Sequence, residues 1–174
     1  MKGSLDSLRP LFIRNVAAFA FRPIDEESAR EILAWRYAGP YAVYDPGSED
    51  PAAALRTFLD PANAYFAVRD GDGALVAYWC FGPDARVPGG GYAGEALDVG
   101  GGVRPELTGR GLGLSLLQAA LGFARGRFQP PTFRVTIAAW NARALTVCER
   151  AGFVAEQRCA NPEGTRFAVL RRPC

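Results

Sequence analysis

The stretch RPELTGRGLG, Arg104 to Gly113, sets Gly109, Gly111 and Gly113 at alternate positions, after a proline and ahead of a long run of leucine and alanine. Each glycine costs roughly 0.5–1 kcal/mol against alanine inside a helix. A helix start has no use for them, so something must approach the main chain closely. Upstream, ALDVGGGVRP reads as a strand around a glycine triplet, which marks a bulge or a close approach by another backbone or a ligand. Downstream, GLSLLQAALGFARG reads as a helix. Strand, glycine loop and helix in this order make an anion site, because the first helical turn presents unpaired N–H groups and the dipole adds partial positive charge. The same loop also reads as a merely tight turn. A P-loop is excluded because the loop has no lysine for GxxxxGK[ST]. The dinucleotide pattern GxGxxG fails because Leu114 and Leu116 stand where its third glycine would fall.

Beyond the helix, TFRVTIAAW reads as a strand and NARALTVCERAG as a helix capped by Asn141 and ended by Gly152. FVAEQRCA and TRFAVLRR form a hairpin around NPEG. Before the loop, residues 1–16 read as a loosely structured amino terminus and AAFAFRPI as a first strand. EESAREILAWRY reads as a helix capped by Asp25, GPYAVYDPGSEDP as a loop and AAALRTFL as a shorter helix. AYFAVRD and ALVAYWCFG pair across GDG, and VPGGGYAGE is a flexible connection. The predicted order is β-α-α-β-β-β-α-β-α-β-β, in a single domain spanning residues 1–174.

The 174 residues are enough for one domain with its own core. A 49% hydrophobic and 22% charged composition is that of a soluble globular protein, and a net charge of +2 is too small to argue for nucleic acid. Only Lys2 among the basic residues is a lysine, so the positive charge is guanidinium, suited to forked binding of phosphate or carboxylate. Abundant alanine, glycine and proline give base composition as the other reading of that bias. Cys80, Cys148, Cys159 and Cys174 have no CxxC spacing and the chain has no histidine, which argues against a metal site and removes the commonest general base. The apolar run near the amino terminus is broken by Arg14 and Asn15, so it does not read as a signal peptide. No run approaches the length of a bilayer span. The expectation is a reduced, cytoplasmic protein with no membrane partner.

The glycine loop and the later AAWNARALTVCERAGF together resemble the GCN5-related N-acetyltransferase (GNAT) superfamily. Its acetyl-CoA loop reads Q/R-x-x-G-x-G/A and its later segment roughly N-x-x-A-x-x-L-Y-E-K-x-G-F. Here Thr108, Gly109, Arg110, Gly111, Leu112 and Gly113 form the loop, after Val103, Arg104 and Pro105. Asn141, Ala144, Val147, Glu149, Arg150, Gly152 and Phe153 match the later segment. Thr108 replaces the usual glutamine or arginine, and Cys148 the usual tyrosine. The likeness implies an α/β (α+β) fold: a mixed, mostly antiparallel sheet of about seven strands, splayed between the fourth and fifth, with about four flanking helices.

The resemblance also implies acetyl-CoA as cosubstrate, with no metal. Its pyrophosphate would lie on the loop from Gly109 to Leu114, and its pantetheine on the fourth strand at Gly101 and Val103, with Asn141 as a helix cap, a pantetheine contact, or both. Acyl transfer by direct attack needs a base, an oxyanion donor and an acid for the thiolate. Asp98 corresponds to a glutamate in the ribosomal-protein acetyltransferase branch, the closest in pattern. It reads either as that base or as a brace for the strand, with Glu95 in reserve. The oxyanion donor would be a main-chain N–H near Val103. Cys148 reads as a replacement acid or as a small buried hydrophobe. Trp35, Tyr37, Tyr41 and Tyr44 lie where the acceptor site would form, and read as acceptor contacts or as an aromatic plug. The acceptor would be a small-molecule amine, a protein amino terminus or a lysine, and the chain a candidate homodimer. A non-catalytic acyl-CoA-binding module is the alternative.

Overall fold

The computed structural model describes residues 19–47 and 49–174; the expectation for residues 1–16, and the first two residues of the AAFAFRPI strand, lie outside them. The first half comprises β1 (Ala20–Pro23), α1 (Glu26–Leu33), α2 (Pro51–Leu59), β2 (Tyr65–Arg69), β3 (Leu75–Phe81) and β4 (Leu97–Val103). After α3 (Gly113–Phe128) come β5 (Thr132–Ala138), α4 (Ala142–Arg150), β6 (Val154–Ala160) and β7 (Arg166–Pro173). Local chemistry sets the ends. Asp25 accepts a 2.8 Å bond from the Ser28 N–H at the start of α1, which lowers its carboxyl pKa. Asp50 does the same for Ala52 and Ala53 at α2, with Pro51 in the first turn. Asp70 accepts from Asp72 and Ala74 in the β2–β3 turn.

α1 ends earlier than the sequence suggests. Arg36 Nη1 donates to the carbonyls of Leu33 and Trp35, and Asp45 captures the Tyr37 N–H at 2.7 Å. Pro40 disfavours helical geometry at Gly39. The expected loop that follows contains a 3₁₀ helix, Gly39–Tyr44.

The strands form one seven-stranded sheet in the order β1-β2-β3-β4-β5-β7-β6, antiparallel except between β4 and β5. α3 packs on the sheet through Leu117, Ala120, Leu121 and Ala124, against Phe66, Phe81 and Phe133. A separate cluster under α1 and α2 buries Ile32, Trp35, Phe58 and Leu75. Element order, sheet composition and the four α-helices among the described residues follow the sequence expectation.

Candidate active site

β4 and β5 pair at only two positions, Leu97 with Phe133 and Asp98 with Arg134, and then diverge. The opening holds a cavity of about 1210 Å³, lined on one side by Val99 to Val103 and on the other by Val135, Thr136 and Ile137. It exceeds the usual range of roughly 300–1,000 Å³ for a small-ligand site. β4 stays paired with β3 from Val99 to Val103. Gly82 N–H donates to Asp98 O, and Arg104 N–H to Val76 O, so the even-numbered peptides of β4 face β3. Alternation then turns the peptides of Val99, Gly101 and Val103 toward the cavity. β4 is thus a central strand with one edge open.

The glycine triplet has a second cause, which the sequence did not disclose. A Cβ on Gly101 would meet Tyr78 O and the Trp79 ring. One on Gly102 would lie 2.8 Å from the Tyr78 ring and 2.9 Å from the Tyr37 hydroxyl. Aromatic side chains around β4 occupy the space that side chains of its own would need.

At the far end, Gly109 and Gly111 have φ of +75° and +82°, the left-handed region, and a Cβ on either would meet nothing within 4 Å. Conformation, not crowding, requires glycine there. Gly113 starts α3 where a Cβ would lie 3.0 Å from Val147. α3 has no side-chain cap, and among the described residues the N–H groups of Gly109 to Ser115 have no backbone acceptor. Thr108 braces the loop by donating its hydroxyl to Pro105 O at 2.7 Å. Thr108, Gly109, Gly111, Gly113 and Leu114 line the cavity, whereas Arg110 and Leu112 do not.

Asp98 is not placed for base catalysis. It is 2% exposed and does not line the cavity. Arg134, 1% exposed and its register partner across the seam, grips it with Nε at 2.5 Å and Nη2 at 2.8 Å, and Arg86 Nε adds a bond of 2.7 Å. The Tyr92 ring lies under both guanidiniums, at 5.1 and 4.9 Å. The Tyr92 hydroxyl lies 3.3 Å from Thr136 Oγ1 on the cavity wall. The brace is a buried ion pair that pins β4 to β5 where they part. Hydrogen bonding to Asp98 raises the Arg134 pKa. Glu95 is exposed and outside the cavity. Among the described lining residues only Glu106 carries a carboxylate, and Arg104 Nε lies 3.3 Å from it.

Cys148 lines the cavity but is 5% exposed and packed in the main core. Burial, helped by the Glu149 charge, pushes its thiol up to about 12. Such a thiol is a weaker acid than an ordinary one, so the geometry favours packing over proton donation. Asn141 both caps α4, accepting from Ala144 N–H at 3.1 Å, and donates to the Tyr44 hydroxyl at 3.2 Å.

Of the expected aromatic contacts, Tyr37, Tyr41 and Tyr44 line the cavity. Tyr37 donates its hydroxyl to Val103 O at 2.9 Å, and burial raises its pKa, so it stays a donor at neutral pH. Trp35 does not reach the cavity. It is 5% exposed and packs on Tyr78 at 5.9 Å, because α1 ends before it and turns it into the core. Sequence reading missed Tyr78 and Trp79, whose alternation on a hairpin strand looked like ordinary core. It also missed Arg36 and Arg143, which carry no motif, and Trp140, which lies beside the lining, stacked on Tyr44 at 5.6 Å and tilted against Tyr41 at 5.5 Å.

Among the described residues no helix is long and apolar enough to cross a membrane, and no cluster of three or more potential metal ligands occurs.

The model of the acetyltransferase (GNAT) family matches residues 26–153. A mycothiol acetyltransferase from Beutenbergia cavernae is 37% identical over 98 residues, which cover 56% of this chain and 30% of that protein. The chain therefore matches under a third of the length of that relative. A spermidine N-acetyltransferase chimera from Vibrio cholerae and hSSAT superimposes with a TM-score of 0.70 at 17% identity, covering 89% of this chain and 95% of the other. AAC(6')-Ib in complex with ribostamycin and coenzyme A gives 0.67 at 15%, covering 90% and 93%.

Proposed function

Because the chain belongs to the acetyltransferase (GNAT) family, we propose that it moves an acetyl group from acetyl-CoA to a primary amine by direct attack in a ternary complex. One observation carries this reading: an open strand edge at Val99, Gly101 and Val103 runs beside an uncapped helix start behind two left-handed glycines. The N–H groups from Gly109 to Leu114 would hold the pyrophosphate, with the α3 dipole behind them. Arg150, one turn past Val147, which abuts Gly113, adds charge at the same end. Pantetheine amides would pair with Gly101 and Val103 as an added strand.

The amine nitrogen then attacks the thioester carbonyl, the carbon–sulfur bond breaks, and CoA leaves as thiolate. An N–H of the open β4 edge, from Val99 to Val103, would stabilise the oxyanion. Asp98 holds the seam and Cys148 packs, so the amine's proton leaves by way of water. The resemblance to the ribosomal-protein branch rested on Asp98, and its engagement by two arginines removes that support.

Acetyl-CoA and CoA should raise Tm while ATP and NAD do not, and an amine panel should release free thiol. Stabilisation by ATP equal to that by CoA would overturn the cofactor assignment. Tight CoA binding without thiol release would favour a non-catalytic acyl-CoA-binding module, a reading supported by the absence of a carboxylate other than Glu106 among the described lining residues.

A further inference from the structure

Resting on the acetyl-transfer reading, we propose that the acceptor is an amine with a flat apolar body that also carries a carboxylate. The Tyr44–Trp140 stack takes the body, and Arg36 and Arg143 take the carboxylate. The exposed large hydrophobics among the described residues are Val43, Tyr44, Leu59, Trp140 and Val154. Three of them, Val43 at 71%, Trp140 at 42% and Tyr44 at 38%, lie where the 3₁₀ helix meets the β5–α4 turn. Tyr44 and Trp140 are nearly parallel, at 29°. Tyr41 and Tyr44 line the cavity itself, so the apolar patch continues inward. Exposed apolar surface gathered at one cavity mouth marks a binding surface.

The charge of that mouth selects among amines. Arg143 lies over the Tyr41 ring at 4.7 Å, and among the described residues its guanidinium has no hydrogen-bonded partner. Arg36 has its Nη1 pinned by Leu33 O and Trp35 O at 2.8 and 2.7 Å. Its Nε–Nη2 edge, the face that grips a carboxylate bidentately, has no partner among the described residues. Among the described lining residues, Arg36, Arg143 and Arg150 face one carboxylate, Glu106, which Arg104 holds, so the lining is net cationic. A polycation would be repelled. An amine held by a carboxylate would be bound, and nearby positive charge would lower its ammonium pKa. That supplies neutral nucleophile without a side-chain base. The neutral nitrogen forms the amide bond as the thioester carbon–sulfur bond breaks, and its surplus proton passes to the thiolate or to solvent.

The test is kcat/KM at saturating acetyl-CoA for two matched pairs, phenylalanine against phenethylamine and tyrosine against tyramine, with spermidine as the polycation, read by thiol release and product mass. The carboxylated member of each pair should be favoured at least tenfold, and spermidine should be poorest. Arg36→Gln and Arg143→Gln should each remove most of that preference, chiefly by raising KM for the amino acid, with a smaller fall in kcat that recovers at higher pH, where the bound amine is neutral without their charge. Calorimetric affinity for acetyl-CoA should stay the same. Three results would overturn the inference: phenethylamine or spermidine matching phenylalanine, arginine variants that keep the preference, or no turnover of the panel by a protein that binds acetyl-CoA. Failure to bind acetyl-CoA would instead strike the acetyl-transfer reading, and this inference with it.

Discussion

Replacing Asp98 by asparagine separates a structural role from a catalytic one. The change keeps shape and one acceptor oxygen but removes the charge that faces Arg134, 1% exposed, and Arg86. Breaking a buried pair from one side leaves an uncompensated charge and costs about 3–5 kcal/mol. In a chain of this size that lowers Tm by roughly 6–20 °C. Asp98 and Arg134 are also the last paired residues before the strands diverge, so the loss falls on the cavity walls. Turnover should decline together with stability and recover in part when acetyl-CoA saturates the protein at low temperature. Thermal unfolding and thiol release on the same preparation decide the matter. A variant that melts with the parent yet loses a hundredfold or more in kcat would refute the reasoning and restore Asp98 as the base. Asp98→Leu combined with Arg134→Met should be milder than either single change, because the charge left behind, Arg86, is 37% exposed and reaches solvent.

Cys148→Ala should cost on the order of 1 kcal/mol in stability and leave kcat within a few-fold, measured with a saturating amine beside thermal melts. Cys148 and Cys80 are both pushed up to about 12 by burial, whereas unfolded thiols ionise near 8.5. The unfolded chain therefore loses protons first. Their contribution to stability is intact below about pH 8.5 and falls as pH rises toward 12, by up to about 1.4 kcal/mol per pH unit for each thiol. Denaturation series from pH 8 to 11 should show that slope, shallower in Cys148→Ala. Gly111→Val forces a β-branched residue to φ +82°, so a folded variant should bind CoA at least tenfold more weakly by calorimetry. Asn141→Ala removes a cap and the link to Tyr44; stability should fall by about 1 kcal/mol, read by chemical denaturation.

The two glycine-marked segments were legible because backbone geometry leaves a residue-level trace. Left-handed φ at Gly109 and Gly111 and the Asn141 cap each demand a narrow choice of side chain. Element order was legible for a similar reason: Asp25 announces the start of α1, and GDG the turn between β2 and β3. What could not be read was contact across the fold. Asp98 and Arg134 are far apart in the chain, and nothing in a lone aspartate says that two guanidiniums meet it. Trp35 and Tyr37 are two residues apart, yet one is core and the other a cavity donor, because α1 ends before both and the bonds of Arg36 and Asp45 hold the chain beyond it. Tyr78 and Trp79 looked like core and are also cavity wall.

The two-residue seam between β4 and β5 bears on how the chain folds. β1 to β4 come from residues 20–103 and β5 to β7 from residues 132–173, so each half-sheet is continuous in sequence. Within each half every strand pairing is antiparallel. The β2–β3 and β6–β7 hairpins close short loops, whereas the parallel join, with Asp98 and Arg134 36 residues apart, must wait for α3 to bring its strands together. The two hairpins should therefore form early and the seam late. Substitutions at Asp98 or Arg134 would then speed unfolding far more than they slow folding, and kinetic φ-values near zero at the seam, beside higher ones in the β2–β3 and β6–β7 hairpins, would record that order.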